Sequence, residues 1–264
     1  MERIKQDLEK ARQERETPQT GHEPGPASPS PVAAAPGPET TSRVSMDESV
    51  LRDHRIITGL EPGPFTDAYN LLRTRIMQTF KENDWSTLAV TSPGASSGKT
   101  LTAINLAISI AREVDHTVLL VDANLRHPWM VEQFGLEHRK GLSEYLTDDI
   151  PLAELLLRPD RIEHLVILPG GKPLSNSAEM LNSPKMGRLA DEMKSRYQSR
   201  IIIYDLPPVL TSSDTLAFAP HVDAALLVVE DGVTQKAELE QTVELLSVTN
   251  IVGTVLNKAD GQPA

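Results

Sequence analysis

Apolar residues in this chain come in short unbroken runs, separated by longer stretches in which they recur every three or four positions. The runs Thr87–Thr91, Thr117–Val121, Leu165–Leu168, Ile201–Tyr204, Ala224–Val229 and Ile251–Leu256 predict strands. Val118-Leu119-Leu120-Val121 and Ile201-Ile202-Ile203 do not alternate with polar residues. Such runs predict strands covered on both faces, as in a parallel sheet. The stretches Phe65–Lys81, Lys99–Glu113, Pro184–Tyr197 and Thr234–Ser247 predict helices. Strands and helices taking turns predict an α/β fold, a mostly parallel sheet with helices on both faces, over residues 46–260.

Upstream the pattern changes. Residues 1–17 read as a charged helix, with Met1, Ile4, Leu8 and Ala11 as a thin apolar stripe. Residues 18–45 hold Pro18, Pro24, Pro26, Pro29, Pro31, Pro36 and Pro38 among Gly, Ser, Thr and Ala. Prolines remove backbone donors, and apolar side chains are too few to offset ordering entropy, so this segment is expected to be a disordered linker. Residues 261–264 form a short tail. Aromatics are only 4% of the residues against 39% hydrophobic overall, so aliphatic side chains must build the core. The absence of Cys excludes disulfides, thiolate metal sites and a Cys nucleophile, and fits a reducing compartment. A formal net charge of -11 argues against nucleic-acid binding through a basic surface. No apolar run approaches the roughly 20 residues of a membrane span, and the charged first residues do not read as a signal peptide. The expectation is a cytoplasmic chain, peripheral to the inner membrane through a partner if at all.

Thr91-Ser92-Pro93-Gly94-Ala95-Ser96-Ser97-Gly98-Lys99-Thr100 follows a predicted strand and opens a predicted helix. Small residues let backbone N–H groups close around an anion, and the helix N-terminus adds free donors and a positive dipole end. Gly94 through Leu101 are therefore the expected nucleotide-binding segment: Gly94, Ala95, Ser96, Ser97, Gly98, Lys99, Thr100 and Leu101. Lys99 would reach the β- and γ-phosphates and Thr100 would offer its hydroxyl to Mg²⁺. Pro93 stands where the usual pattern has its first Gly, and Gly94 follows it. The competing reading is a Gly/Ser turn before a lysine; the strand–loop–helix context favours the phosphate cradle.

Two acids end predicted strands, Asp122 after Val118–Val121 and Asp205 after Ile201–Tyr204. In open α/β sheets the ligand crevice lies outside such strand ends. Both would face the crevice of Lys99 and hold Mg²⁺ with its waters. Each Asp alone could be a turn or cap residue; a pair downstream of a phosphate loop reads as a metal site.

Taken together, these segments resemble the bacterial tyrosine kinases of exopolysaccharide and capsule synthesis, P-loop ATPases of the ParA/MinD-like group. The family's motifs match Thr91 through Thr100; Asp122, Asn124 and Arg126; and Asp205, Pro207 and Pro208. The likeness continues through Gly141–Leu146, Leu168–Gly171 and Val255–Asn257. It implies ATP and Mg²⁺ as cofactors and transfer to protein tyrosine. It implies Lys99 and Asp122 as catalytic residues, and Thr100, Asp122, Asn124 and Asp205 around the metal. Activation by a membrane-bound chain-length regulator is also implied, as is assembly into a homo-oligomer.

Some positions depart from the family. Asn124 replaces its second acid, and its E-x-x-R-x-x-R assembly motif is here Asp67, Asn70 and Arg73. The usual tyrosine tail is absent: the chain ends Gly261-Gln262-Pro263-Ala264, and its tyrosines are Tyr69, Tyr145, Tyr197 and Tyr204. The chain would then phosphorylate other proteins, or act as a switch ATPase or a nucleotide-binding regulator without catalysis. Asn257-Lys258-Ala259-Asp260 fits a guanine-reading pattern, but Leu206-Pro207-Pro208 after Asp205 favours ATP, with Asn257 as an adenine contact or a polar strand exit. His127 reads as an ordinary loop residue, and Trp129 with Phe134 as a local apolar cluster rather than a stacking platform.

Overall fold

Each central strand carries apolar side chains on both faces, so each contributes to two cores at once. In the computed structural model, which describes residues 42–57, 63–113, 116–195 and 200–259, Leu88, Val90, Leu120, Ile203 and Leu226 face one core. Their neighbours Ala89, Leu119, Val121, Ile202, Tyr204 and Leu227 face the other. The alternation is that of a pleated strand, and here neither face is left to water.

The eight strands are β1 (Ser42–Val44), β2 (Thr87–Thr91), β3 (Thr117–Asp122), β4 (Leu157–Pro159), β5 (Leu165–Leu168), β6 (Arg200–Asp205), β7 (Ala224–Glu230) and β8 (Asn250–Asn257). They form one sheet in the order β1-β4-β5-β3-β6-β2-β7-β8. Every pairing is parallel except β4 with β5. The helices are α1 (Glu48–Asp53), α2 (Pro64–Asn83), α3 (Lys99–Ala111), α4 (Met130–Gln133), α5 (Leu142–Asp148), α6 (Leu152–Leu155), α7 (Ser177–Leu181), α8 (Pro184–Ser195), α9 (Asp214–Phe218) and α10 (Lys236–Leu245). Ile76 and Phe80 of α2 and Ile104 and Ile108 of α3 cover the first face. Leu181 of α7, Leu189 of α8 and Phe218 of α9 cover the second. From Thr102 to Ala111 every residue of α3 is buried, so the helix that follows the phosphate loop cannot shift without disturbing the core.

The six expected strands and four expected helices are present, with ends moved by a few residues. The elements missed are the short ones. The sequence pattern puts residues 42–45 in the linker, yet Ser42–Val44 pairs with Leu157–Pro159 and Ser45 Oγ donates to Asp160 Oδ2 at 2.9 Å. A three-residue strand has no period to read, and its partner lies far along the chain. Helices α4, α6, α7 and α9 span four or five residues each, too few to show a helical stripe. All described residues lie in one of the chain's two compact units, Ala35–Ala264. The expected helix 1–17, most of the linker 18–45, Tyr197, Asp260 and the tail 261–264 lie outside the described residues.

Candidate functional site

Strand β2 sits between β6 and β7, and the chain crosses over β6 to reach β3. A crevice opens where successive crossovers diverge, at the carboxyl ends of the strands. The register fixes what lines it: Val90 pairs with Asp205, and Asp205 pairs with Asp122. Both aspartates therefore end adjacent strands beside the loop that leaves β2. A cleft of about 700 Å³ opens there, lined by Ala95, Ser96, Gly98, Lys99, Thr100 and Leu101, with Asn124 and Asp205 among the residues across from them.

The loop is held by its carbonyls. Gly94 O accepts from Ser92 Oγ at 2.7 Å, Ser96 O from Lys258 Nζ at 2.8 Å, Ser97 O from Asn257 Nδ2 at 2.8 Å and Gly98 O from Thr102 N at 2.9 Å. In a planar trans peptide each N–H points opposite the preceding carbonyl. The N–H groups of Ala95, Ser97, Gly98 and Lys99 are thereby turned away from these partners, as an anion nest requires. Ser96 and Gly98 take left-handed backbone, at φ 63° and 88°. Asn257 and Lys258 come from the end of β8, and Lys258 also pairs with Glu230 at 3.0 Å. Asn257, expected as an adenine contact or a polar strand exit, donates to the loop itself. Nothing local in the sequence announces Lys258 as a loop latch, because its partner is distant in the chain.

Thr100 Oγ1 donates to Asp205 Oδ2 at 2.7 Å, and Lys99 Nζ stands 3.7 Å from Asp205 Oδ1 and 3.3 Å from Thr100 Oγ1. Asp205 is buried; burial pushes its carboxyl up, against the opposing pull of Lys99 and the Thr100 hydroxyl. Asp122 is buried too. Its Oδ2 accepts from Trp129 N and Met130 N, both at 3.1 Å, and its Oδ1 from Asn124 N at 3.2 Å. Burial, and then the Asp205 charge, push the Asp122 carboxyl up to about 7. Two ionised carboxylates this close in a dry site repel one another.

A second shelf supports Asp122. Leu142 N and Ser143 N donate to Pro169 O and Gly170 O. Glu144, buried on α5, accepts from Gly141 N at 2.7 Å, Ser143 Oγ at 3.0 Å and Lys172 N at 3.0 Å. Burial raises the Glu144 carboxyl, but these donors prevail and hold it below the usual range. A Cβ on Gly170 would lie 3.1 Å from Asp122 Cγ and 2.5 Å from Pro128 Cβ. That glycine is what lets the β5 exit close on the carboxylate. The two segments 141–146 and 168–171 carried only resemblance in the sequence; in space they are one brace.

Arg126 pairs with the fully buried Asp214 at 3.7 Å; sequence reading missed Asp214, which follows the Asp205–Pro208 motif closely but whose partner is distant in the chain. Arg73 is turned inward onto α3, donating to Ser109 O at 3.0 Å and pairing with Glu113 at 3.0 Å. Tyr204 and Tyr69 are buried. Phe134 is wholly buried, as expected of a cluster residue, but Trp129 is 60% exposed and lines the cleft. The expected Trp129–Phe134 cluster therefore fails on the Trp129 side, because the Trp129 backbone is tied to Asp122 while its ring is left to solvent.

No family model matches the chain. The tyrosine-protein kinase YwqD of Bacillus subtilis (strain 168) is 30% identical over 194 residues, 73% of this chain and 80% of that protein. The crystal structure of the chimerical protein CapA2B2 superposes with a TM-score of 0.72 at 25% identity, covering 83% of this chain and 94% of that one. The kinase domain of the Escherichia coli tyrosine kinase ETK gives a TM-score of 0.68 at 25% identity, over 84% of this chain and 92% of that one.

Proposed function

Because the chain belongs to the bacterial tyrosine-protein kinase family, we propose that it transfers the γ-phosphoryl group of Mg·ATP to protein tyrosine in an exopolysaccharide or capsule system. The observation that carries this reading is the 2.7 Å bond from Thr100 to Asp205, with Lys99 Nζ 3.7 Å from the other carboxylate oxygen. It joins the start of α3 to the end of β6. A lysine, a helix N-terminus and a hard oxygen donor set thus converge at one end of the cleft.

The residues present suit magnesium. Asp205 Oδ1 and Asn124 Oδ1 are buried and lack a hydrogen-bond partner, and both are the oxygen type this ion prefers. Among the described residues no three acidic or histidine side chains cluster as a metal cage, which fits an ion that keeps waters and phosphate oxygens as ligands. Thr100, Asp205, Asn124 and Asp122 would hold it, directly or through water. Bound there, magnesium would neutralise phosphate charge and draw both carboxyls into their ionised range.

The chain's own residues position and shift protons. The loop N–H groups and Lys99 orient the triphosphate, a contribution of alignment and charge rather than covalent chemistry. Asp122 Oδ1, which accepts only from Asn124 N among the hydrogen bonds above, takes the tyrosine proton. The tyrosine oxygen bonds to the γ-phosphorus as the bond to the bridging oxygen breaks, and ADP leaves. A membrane-bound chain-length regulator as activator is part of the proposal; among the described residues no helix is long and apolar enough to cross a membrane.

The test is incubation with γ-labelled ATP and Mg²⁺, with and without the cytoplasmic segment of that regulator. Label on tyrosine is expected. Free phosphate alone would indicate a switch ATPase, and binding without turnover a regulator. Lys99→Met is expected to lower transfer at least a hundredfold, in keeping with loss of an oriented charge at the transferring group; unchanged transfer would remove the reading.

A further inference from the structure

Trp129 is the large apolar side chain of the cleft lining that remains 60% exposed. Leaving an indole in water forgoes a large burial term, so a ring held at the mouth of a site suggests a partner that covers it. Its place is fixed by its main chain: Trp129 N donates to Asp122 Oδ2 at 3.1 Å. Trp129 therefore stands on the segment that follows the proposed proton acceptor, close in the chain to Arg126 and His127; both are exposed, Arg126 while it pairs with Asp214. From the β6 exit, Pro208 and Thr211 line the same cleft.

We propose that Trp129 is the acceptor platform, on which the aromatic ring of a substrate tyrosine stacks so that its hydroxyl reaches Asp122, with Arg126 and His127 favouring acidic residues beside that tyrosine. The inference rests on the kinase reading above and names its substrate class, a tyrosine in an acidic peptide. An aromatic pair prefers offset or edge-to-face contact. A tyrosine stacked on that ring can direct its phenolic oxygen inward, whereas an aliphatic hydroxyl on serine or threonine has no ring to stack. Trp129 is thus a specificity and positioning residue.

The test uses the full chain with Mg·ATP and a glutamate-rich peptide bearing one tyrosine. Trp129→Ala should raise the peptide KM about three- to tenfold, the range of an aromatic pair, with kcat and Mg·ATP affinity changed less than about twofold. Trp129→Phe should restore KM. In a Trp85→Phe background Trp129 is the single tryptophan of the two in the chain; its emission should respond to the peptide and not to the same peptide with Ala for Tyr. An unchanged KM in Trp129→Ala overturns the proposal. So does a parallel loss of Mg·ATP affinity, which would place the ring against the nucleotide base, or a fall in kcat that Trp129→Phe does not rescue. If no peptide is labelled yet the emission responds to tyrosine, the kinase reading falls and the aromatic site stands. If transfer proceeds while the emission is silent, the site alone falls.

Discussion

At Gly98 a backbone angle and a neighbouring side chain make the same demand. Its φ of +88° is left-handed, and a Cβ there would lie 2.1 Å from Asn257 Nδ2. Gly98→Ala would strain the backbone, at about 1–2 kcal/mol, and would also push Asn257 off Ser97 O and loosen the loop. Calorimetry should show Mg·ATP affinity down about tenfold or more, and a melt should show lower stability. Asn257→Ala alone should cost about 1 kcal/mol through its lost hydrogen bond. The double variant should fall short of the sum of both losses, because the two changes act on one contact. The residue scale also shows the limit of motif reading. Gly98, Lys99, Thr100 and the two aspartates were legible because their chemistry is local and ordered along the chain. Lys258 and Asp214 were not, because each acts on a partner brought close only by the fold. For Trp129 the residue type was plain and its exposure was not.

At the scale of elements, the amino ends of β2 and β7 are clasped by Asp223. Its Oδ2 accepts from Ser86 N at 2.9 Å, Thr87 N at 3.0 Å and Thr87 Oγ1 at 2.9 Å, while Lys194 of α8 binds Oδ1. Thr87 Oγ1 in turn accepts from Asp223 N at 2.8 Å. Burial raises this carboxyl, but Lys194, Ser86 and Thr87 outweigh it and hold it below 3.8. A depressed carboxyl adds stability above its unfolded value and loses it as pH falls through the folded one. Asp223→Ala should therefore cost about 1–3 kcal/mol at pH 7 by leaving buried donors unpaired. The gap to the native chain should narrow once the pH drops below about 4; denaturant melts at the two pH values check both signs. The clasp lies at the opposite end of the strands from Asp205, so transfer kinetics at pH 7 should change little in whatever fraction remains folded. Helices of ten residues or more were readable from their periods. The short helices and β1 and β4 were not, since tertiary pairing and not propensity sets structures of three to seven residues.

For the whole molecule, ligand and fold are linked. A Mg·ATP complex that binds the folded chain alone should stabilise it by about 2.7 kcal/mol at a hundred times Kd. For a domain of this size that is a rise in Tm of several degrees. EDTA should abolish the rise, and Lys99→Met should never show it; a thermal shift series decides. A rise that survives EDTA would mean that the nucleotide is held without the metal.

The order of buried runs, the phosphate loop between a strand and a helix, and the two strand-end acids were determined by the sequence alone. They depend on side-chain period and on groups adjacent in the chain, and both are written in one dimension. What only the tertiary structure decided is which distant groups meet: Lys258 and Asn257 on the loop, the Glu144 brace behind Asp122, the inward turn of Arg73 and the outward face of Trp129. Those contacts follow from strand order and from which surfaces the helices cover, and burial is a property of neighbours in space rather than of neighbours in sequence.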